Sequence, residues 1–449
     1  MTEIVALLQT IAPLLGKTTL GQLCQVVFGM LVASGRITML GLSRWTEKGR
    51  SYRTIQRLYH TLLPLNAIQW RFFRQRFLQP EDECFIAGDE VVVSKAGKET
   101  YGLDRFFSGL QQVIPGLSFF AFSLVNVREE QSYPLQINQI VKSAAEKAAR
   151  KSKVEAKQAK KTAEKGKPGR PKGSKNKTKA EVVLSAELLR VQAGLHSLLA
   201  TVGTKLILRY VALDGHFGNY PSASMVRQEN LHLISKLRHD AALYPAFTGE
   251  HPGPGPKPKY GPKIEVHQMD PKYLKETTVK DKIRTEFYQG QFYNKEFAFA
   301  LNVVIILKTN LVTRAQAHAI LFSTDLAQAY DHIIRLYSLR FQIEFHFRDA
   351  KQYWGLEDFM NVKATAVTNA ANLAFFMVNV SQALLRPFRQ HQPDYSILDL
   401  KSHYRGYRYA RETIKLLPQK PDAHLLAHIF AQIARLGAIH PLSQHSPTP

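Results

Sequence analysis

The sequence predicts an α/β fold in which a sheet forms the core and helical regions flank it at both ends of the chain. Segments rich in β-branched and aromatic residues recur between about residues 84 and 325, a pattern that is typical of buried strands. Stretches with helical periodicity precede, separate and follow them. The chain has 449 residues, 45% of them hydrophobic, so it is long enough to bury a large core and to form roughly two to four domains.

Residues 1–78 show interrupted helical periodicity and predict a helical N-terminal region. In the segment RSYRTIQRLYHTLL, Arg50, Arg53 and Arg57 are spaced three and four residues apart and share one side of a helix, while Ile55 begins the stripe predicted to be buried. Such a basic helical face is predicted to bind DNA. A solvated basic face without a partner fits the same pattern equally well.

Two acidic residues interrupt or end apolar segments that are predicted to be strands. Asp89 lies inside the segment CFIAGDEVVV, and Asp214 directly follows the apolar run 206–213. A carboxylate in such a place is costly when it is buried without a partner, so each acid requires a cation or a hydrogen-bond network. For either acid alone, a cap or turn role is the simpler alternative.

A basic arm interrupts the strands at residues 142–179. It contains 15 Lys and Arg residues against three acids; its first half is helix-prone and its second half is predicted to be disordered. The core PGRPKGSK is similar to an AT-hook, in which Arg170 would insert into a narrow A·T minor groove with Lys172 also contacting DNA. A nonspecific polycationic arm that contacts phosphates is an equally good interpretation.

The run YSLRFQIEFHFRDAKQ, residues 337–352, is predicted to form one helix. Tyr337, Arg340, Glu344 and Lys351 fall inside an arc of roughly 60° on that helix, giving one face an aromatic ring, two cations and one carboxylate. At about 1.5 Å per residue the stripe is roughly 21 Å long, which matches a strand of nucleic acid better than a small substrate. Taken alone, the run is also compatible with an ordinary amphipathic surface helix.

The other sides of this helix carry further polar residues. Gln342, His346 and Asp349 lie opposite the stripe and are expected to face solvent. Arg348 shares the arc of the stripe, and we expect it to contact a DNA phosphate.

Overall charge and cysteine content limit the classes of partner and site. Lys and Arg number 60 against 36 Asp and Glu, a net charge of +24, which predicts a polyanionic partner, nucleic acid first and an anionic membrane second. The two cysteines, Cys24 and Cys84, have no CxxC spacing, so a disulfide framework or a thiolate zinc site is not expected. No apolar run is long enough to span a membrane and no export signal is evident, which predicts a cytoplasmic protein.

Three carboxylates from separate elements, Asp89, Asp214 and Glu344, together predict a metal site. Acids brought together from an α/β core can hold two divalent cations about 4 Å apart, which align the attacking and leaving oxygens of a displacement at phosphorus. Mg²⁺ suits a ligand set made of oxygen atoms without cysteine.

The pattern Y-x2-R-x3-E-x6-K at residues 337–351 resembles the helix of bacterial insertion-sequence transposases of the DDE type. The block GDEVVVSKAGKETYGLDRFFSG, 88–109, is similar to the one around their first catalytic Asp, and VALDGHFGN, 211–219, to the one around the second. The resemblance covers roughly residues 80–385. It implies a ribonuclease-H-like mixed sheet core with a mostly β insertion, and cut-and-paste transposition that cleaves insertion-sequence ends and joins the 3′ ends to target DNA.

The resemblance also implies roles for individual residues. Asp89, Asp214 and Glu344 would be the catalytic ligands of two Mg²⁺ ions, for which Mn²⁺ can substitute. Tyr337, Arg340 and Lys351 would hold the end of the DNA strand. Glu90 follows Asp89 where many relatives have a second Asp, which makes Glu90 a potential additional acid.

The implied partners are the terminal inverted repeats and target DNA, bound by a homodimer that assembles on paired DNA ends in the bacterial nucleoid. Two alternatives remain: a noncatalytic or domesticated DNA-binding regulator, and a stand-alone Mg²⁺-dependent nuclease. The predicted division of the chain is a helical DNA-binding region, 1–78; the first part of the catalytic core, 79–141 and 180–244; the basic arm, 142–179; a β-rich insertion with a basic Pro/Gly loop, 245–318; the rest of the core with the Glu-bearing helix, 319–362; and a C-terminal helical region and tail, 363–449.

Overall fold

The computed structural model describes residues 2–46, 51–109, 112–149, 182–250 and 253–440, together with residues 152 and 155. Three residues of the predicted DNA-binding set, Arg50, Arg170 and Lys172, lie outside the described residues. Within them, none of the helices is both long and apolar enough to cross a bilayer.

The strands lie between residues 84 and 323. Their bounds are Cys84–Ser94 (β1), Asp104–Phe107 (β2), Val113–Asn126 (β3), Gln131–Ile140 (β4), Tyr210–Leu213 (β5), His232–Lys236 (β6), Leu274–Lys280 (β7), Ile283–Tyr293 (β8), Ala300–Asn310 (β9) and Gln316–Ser323 (β10).

The helices lie mainly before and after the strands. Those of the N-terminal region are Thr2–Leu8 (α1), Lys17–Val32 (α2), Met39–Trp45 (α3), Tyr52–His60 (α4) and Leu65–Arg76 (α5). Those that follow are Ala186–Val202 (α6), Tyr220–Gln228 (α7), Tyr330–Leu339 (α8), Gln342–Gln352 (α9), Ala364–His391 (α10), Ile397–Leu416 (α11) and Ala423–Ile433 (α12).

All ten strands join one mixed sheet. Strands β2 and β4 both pair with β3, and the order continues β1, β5, β6, β10, β9, β8, β7. Strand β1 is antiparallel to β3 and parallel to β5, β5 is parallel to β6, and the remaining pairs are antiparallel. The predicted fold class, a mixed α/β sheet with flanking helices, is therefore confirmed.

The centre of the sheet is buried on both faces. Strand β3 is buried continuously from Gly116 to Asn126, and β1 is buried over its first five residues. Helix α10, with 28 residues, carries a long buried apolar surface that packs against β4. Because both faces are covered, the strands are near-continuous apolar runs rather than alternating ones.

The outer edge of β4 is closed by side chains from helices. His346 donates to the carbonyl of Ser132 (2.8 Å), and Asn379 to that of Pro134 (2.8 Å). Further along, Asn372 donates to the carbonyl of Ile137 (3.2 Å). These donors satisfy carbonyls that have no neighbouring strand, and they protect an edge that would otherwise be open to pairing.

The predicted single helix at 337–352 is wrong in one respect, because the chain forms two helices there, α8 and α9. At the joint the hydrogen-bond spacing tightens: the N–H groups of Phe341, Ile343 and Glu344 each donate to the carbonyl three residues earlier. Arg340 and Phe341 keep right-handed helical dihedrals, so the sequence retains a helical pattern across the joint. A local 3₁₀-type turn of this kind redirects a helix without ending its periodicity.

The expected solvent exposure of His346 is also wrong. Its side chain is buried, with 1% of its surface exposed, because α9 packs this side against β3 and β4. Gln342 and Asp349 are only partly exposed.

Candidate active site

The three predicted acids line one cleft. Asp89 projects from β1, Asp214 follows the end of β5, and Glu344 lies in the first turn of α9. The cleft has a volume of about 1220 Å³, and all three carboxylates are among its lining residues. Since β1 and β5 are adjacent parallel strands, the two aspartates leave the sheet on the same side of the molecule.

Asp89 lies deeper than Glu344, with 22% of its side chain exposed against 44%. Its Oδ1 accepts a hydrogen bond from the backbone N–H of Glu90 (2.8 Å), and its Oδ2 pairs with the guanidinium of Arg340 (3.1 Å). Burial raises the pKa of Asp89 to about 6, with Asp214 and Glu344 adding to the rise and Arg340 opposing it. The raised pKa therefore reflects chiefly the removal of solvent from the Asp89 carboxylate.

Asp214 is held by the turn that follows β5. Its carboxylate accepts from the backbone N–H of His216 (3.2 Å), and its carbonyl accepts from the hydroxyl of Ser235 on β6 (2.7 Å). The imidazole of His216 lies 3.1 Å from a carboxylate oxygen of Glu187 on α6. Contacts from β6 and α6 therefore hold this turn in place.

Arg340 connects the acids of the cleft. Its guanidinium lies 3.1 Å from Asp89 and 3.8 Å from Glu344, and only 11% of its side chain is exposed. The guanidinium also lies 5.7 Å from the centre of the Tyr337 ring. Burial raises the pKa of Tyr337, so its hydroxyl remains protonated and able to donate. Tyr337 and Arg340 thus lie beside the acids.

Lys351 and Arg348 line the cleft together with the acids. The ammonium of Lys351 donates to the carbonyl of Val92 on β1 (2.8 Å) and lies 3.4 Å from Glu357. Arg348 pairs with Asp349 (3.0 Å), and its guanidinium lies over the ring of Phe345. The structure places both cations at the same cleft as the acids, although the predicted single helix forms two helices, α8 and α9.

The predicted basic face of the N-terminal region is only partly described. Arg53 and Arg57 lie on α4 with exposed side chains, and neither has an acidic partner within the described part of the chain. On the opposite side of α4, Ile55, Leu58 and Tyr59 are buried. Both arginines are therefore available to solvent.

One protein family has a sequence pattern that matches residues 11–291, and its description is DDE superfamily endonuclease. The chain belongs to the DDE superfamily of endonucleases. The matched residues include Asp89 and Asp214 and end before Glu344. No curated protein sequence matches this endonuclease.

Among solved structures, this DDE endonuclease is similar to a cryo-EM structure of a piggyBac transposase synaptic complex with hairpin DNA. The sequence identity is 11% and the TM-score is 0.36, and the similarity covers 99% of this chain and 84% of that chain. The bacterial insertion-sequence origin and the four-residue helix pattern remain predictions.

Divalent cations are the usual cofactors of this superfamily, and the donor set of the cleft fits them. Asp89, Asp214 and Glu344 carry hard oxygen atoms of the type that binds such cations, and both cysteines are buried elsewhere. Among the described residues, no group of three or more His, Cys, Asp or Glu side chains is close enough together to hold a metal ion. Arg340 lies against two of the three carboxylates.

Several lining residues of the endonuclease cleft are not predicted from the sequence. Glu187, His216 and Glu357 contribute to its wall, as does Lys142 at the start of the basic arm. His216 is the one with a local signal, because it follows Asp214 in the turn after a strand. Glu187 comes from a helix beyond the arm, and only the fold brings it to the cleft.

Glu90, the potential additional acid, also lines the cleft. It follows Asp89 along β1, so the two side chains leave the strand on opposite faces. Glu90 accepts a hydrogen bond from the Ser118 hydroxyl, and burial raises its pKa. The Glu90 side chain therefore belongs to the face of β1 opposite to that of Asp89.

Proposed function

We propose that this DDE endonuclease is a DNA transposase that cleaves insertion-sequence ends and transfers the 3′ ends to target DNA. One observation carries the proposal: Asp89, Asp214 and Glu344, which are more than 100 residues apart in sequence, line one cleft. A cleft of about 1220 Å³ lined by carboxylates and cations has the volume and the charges for a DNA strand and its phosphates.

The three carboxylates are proposed to hold two divalent cations, Mg²⁺ first and Mn²⁺ as a substitute. When bound, such cations neutralise phosphate charge and activate the attacking oxygen. The protein positions the ligands: β1 and the turn after β5 hold the two aspartates, and α9 carries Glu344. Arg340, which lies against Asp89 and Glu344, is proposed to bind a DNA phosphate during the reaction.

Other cations are proposed to hold the DNA. Lys351 and Arg348 would contact the strand inside the cleft, with the Tyr337 hydroxyl near its end. Arg53 and Arg57 would bind a second stretch of duplex through α4, since both lie exposed and neither pairs with an acidic side chain among the described residues. Two protomers are proposed to assemble on paired DNA ends.

The proposal is tested with DNA that carries the inverted repeats flanking the gene. The purified chain should cut at the repeat ends in Mg²⁺ or Mn²⁺ and join the 3′ ends to a second DNA. The absence of cutting on repeat ends in either metal would contradict the proposal.

A stand-alone nuclease is the second candidate, favoured by the endonuclease description of the family. It predicts cutting without joining. A strand-transfer assay therefore separates the two, because joined products form only in the first case.

A further inference from the structure

His346 is a buried polar residue on the helix that carries Glu344. Its Nε2 donates to the carbonyl of Ser132 (2.8 Å), and its Nδ1 lies 3.3 Å from the hydroxyl of Ser123 and 3.4 Å from that of Ser132. Both serines are fully buried. A neutral imidazole has one donor and one acceptor, so this arrangement satisfies both ring nitrogens inside the core.

The serines lie on the face of the sheet from which Asp89 projects. Ala87 pairs with Ser123 across the β1–β3 ladder, and Ser132 pairs with Val125 across the β3–β4 ladder. Directly opposed residues share a face, as do residues two apart along a strand. His346 thus attaches α9 to the sheet surface that presents the first aspartate.

Glu344 and His346 project from opposite sides of α9. Glu344 and His346 are two residues apart, about 200° around the helix axis, so one enters the cleft while the other enters the core. The remaining core contacts of α9 come from Ile343, Phe347 and Ala350, and apolar packing of this kind is non-directional. The hydrogen bonds of His346 are directional and select one rotation of the helix.

We propose that His346 is a positioning residue for Glu344: its bonds to β3 and β4 fix the rotation of α9 and thereby the direction in which the Glu344 carboxylate enters the cleft. The inference rests on the proposed function, in which Glu344 binds a divalent cation. It assigns to His346 a role that its place in the sequence, on the expected solvent side of the helix, does not suggest.

The test compares two substitutions of nearly equal length. His346→Gln keeps an amide donor near the position of Nε2, whereas His346→Met keeps only the volume. Each full-length variant is assayed at a temperature where circular dichroism shows it folded. The readouts are the Mn²⁺ concentration that gives half-maximal DNA cleavage and the dissociation constant for Mn²⁺ alone, measured by electron paramagnetic resonance.

We expect His346→Met to raise both values by about tenfold or more, the effect typical of losing an outer partner of a metal ligand. His346→Gln should stay within about threefold of wild type. A folded His346→Met chain with unchanged values would overturn the proposal. If His346→Met does not fold, the double variant Ser123→Ala/Ser132→Ala removes both hydroxyl partners of Nδ1; a several-fold rise supports the proposal and no rise refutes it.

The matched control is Asn379→Leu. Asn379 donates to the carbonyl of Pro134 on the same edge of β4, but it belongs to α10, which carries none of the three acids. This variant should lose stability and keep the wild-type Mn²⁺ values. An equal rise in Asn379→Leu would show that loosening β4 is sufficient and that His346 has no specific role. Failure of the wild type to cleave DNA would instead refute the proposed function.

Discussion

Asp399 shows what one buried carboxylate does for the C-terminal part of the described chain. It caps the start of α11 through the N–H (2.9 Å) and hydroxyl (2.6 Å) of Ser396, and it also accepts from the ring Nδ1 of His440 (3.0 Å). Burial by itself would raise the pKa of Asp399, but the hydrogen bonds from Ser396 and His440 lower it to about 2. The ionised form therefore ties residues 439 and 440 to the helix.

Asp399 predicts a pH dependence of stability. An unfolded Asp has a pKa near 3.9, so a folded pKa of about 2 gives a contribution that is complete above about pH 5 and is lost as the pH falls through 4 towards 2. The difference in free energy of unfolding between wild type and Asp399→Asn should shrink by about half between pH 6 and pH 3. Urea titrations followed by circular dichroism measure it, and a difference that does not change with pH would contradict the assignment.

For individual residues, sequence reasoning finds those whose local pattern is unusual. Asp89 and Asp214 stand out because each acid interrupts or ends an apolar run. His346 does not stand out, since its hydroxyl partners Ser123 and Ser132 are more than 200 positions away in the chain. A histidine among polar residues on a helix then looks exposed, and only the packing reveals its partners.

Strand β4 is an element that the sequence does not predict, because Pro134 and the polar residues Gln136 and Asn138 interrupt the apolar pattern. Proline is tolerated in an edge strand, where its missing N–H leaves no ladder bond unmade. Side chains from α9 and α10 then supply the partners that a neighbouring strand would provide.

The edge caps of β4 predict a cost in stability. Asn379→Leu removes donors to the carbonyl of Pro134 (2.8 Å) and to the Gln69 side chain (2.9 Å), and both acceptors are then buried without partners. We expect the free energy of unfolding to fall by about 2–6 kcal/mol, since each of the two buried groups left unpaired costs roughly 1–3 kcal/mol. Thr413→Val, on the exposed surface of α11, is the control. An equal fall in its free energy of unfolding would contradict the expected role of Asn379.

For the whole molecule, charge and topology together decide how DNA is held. The net charge is +24, and half of that excess lies in residues 142–179. Lys142, the first residue of this basic arm, and Glu187, on the helix that follows the arm, both line the cleft. The fold therefore brings Lys142 and Glu187 to the cleft that the three acids line, a proximity that the sequence alone does not show.

We expect the affinity for DNA to fall steeply with salt, because each neutralised phosphate releases counterions. Deleting residues 142–179 should reduce the slope of log K against log salt, while cleavage at saturating DNA stays close to wild type. Fluorescence anisotropy from about 50 to 300 mM salt measures the slope. A flat plot for wild type would contradict the charge argument, and loss of cleavage at saturating DNA would place the arm in the active site.

The central claim, that Asp89, Asp214 and Glu344 form one catalytic centre, is tested most directly by Glu344→Gln beside Asp349→Asn. Both changes remove a carboxylate from α9 with almost no change of shape, but only Glu344 lines the cleft. On repeat-end DNA with Mg²⁺, we expect Glu344→Gln to lower the cleavage rate by about a thousandfold, because a metal ion contributes several kcal/mol to the transition state. Asp349→Asn should stay within about threefold of wild type. Cleavage by Glu344→Gln at the wild-type rate would contradict the account.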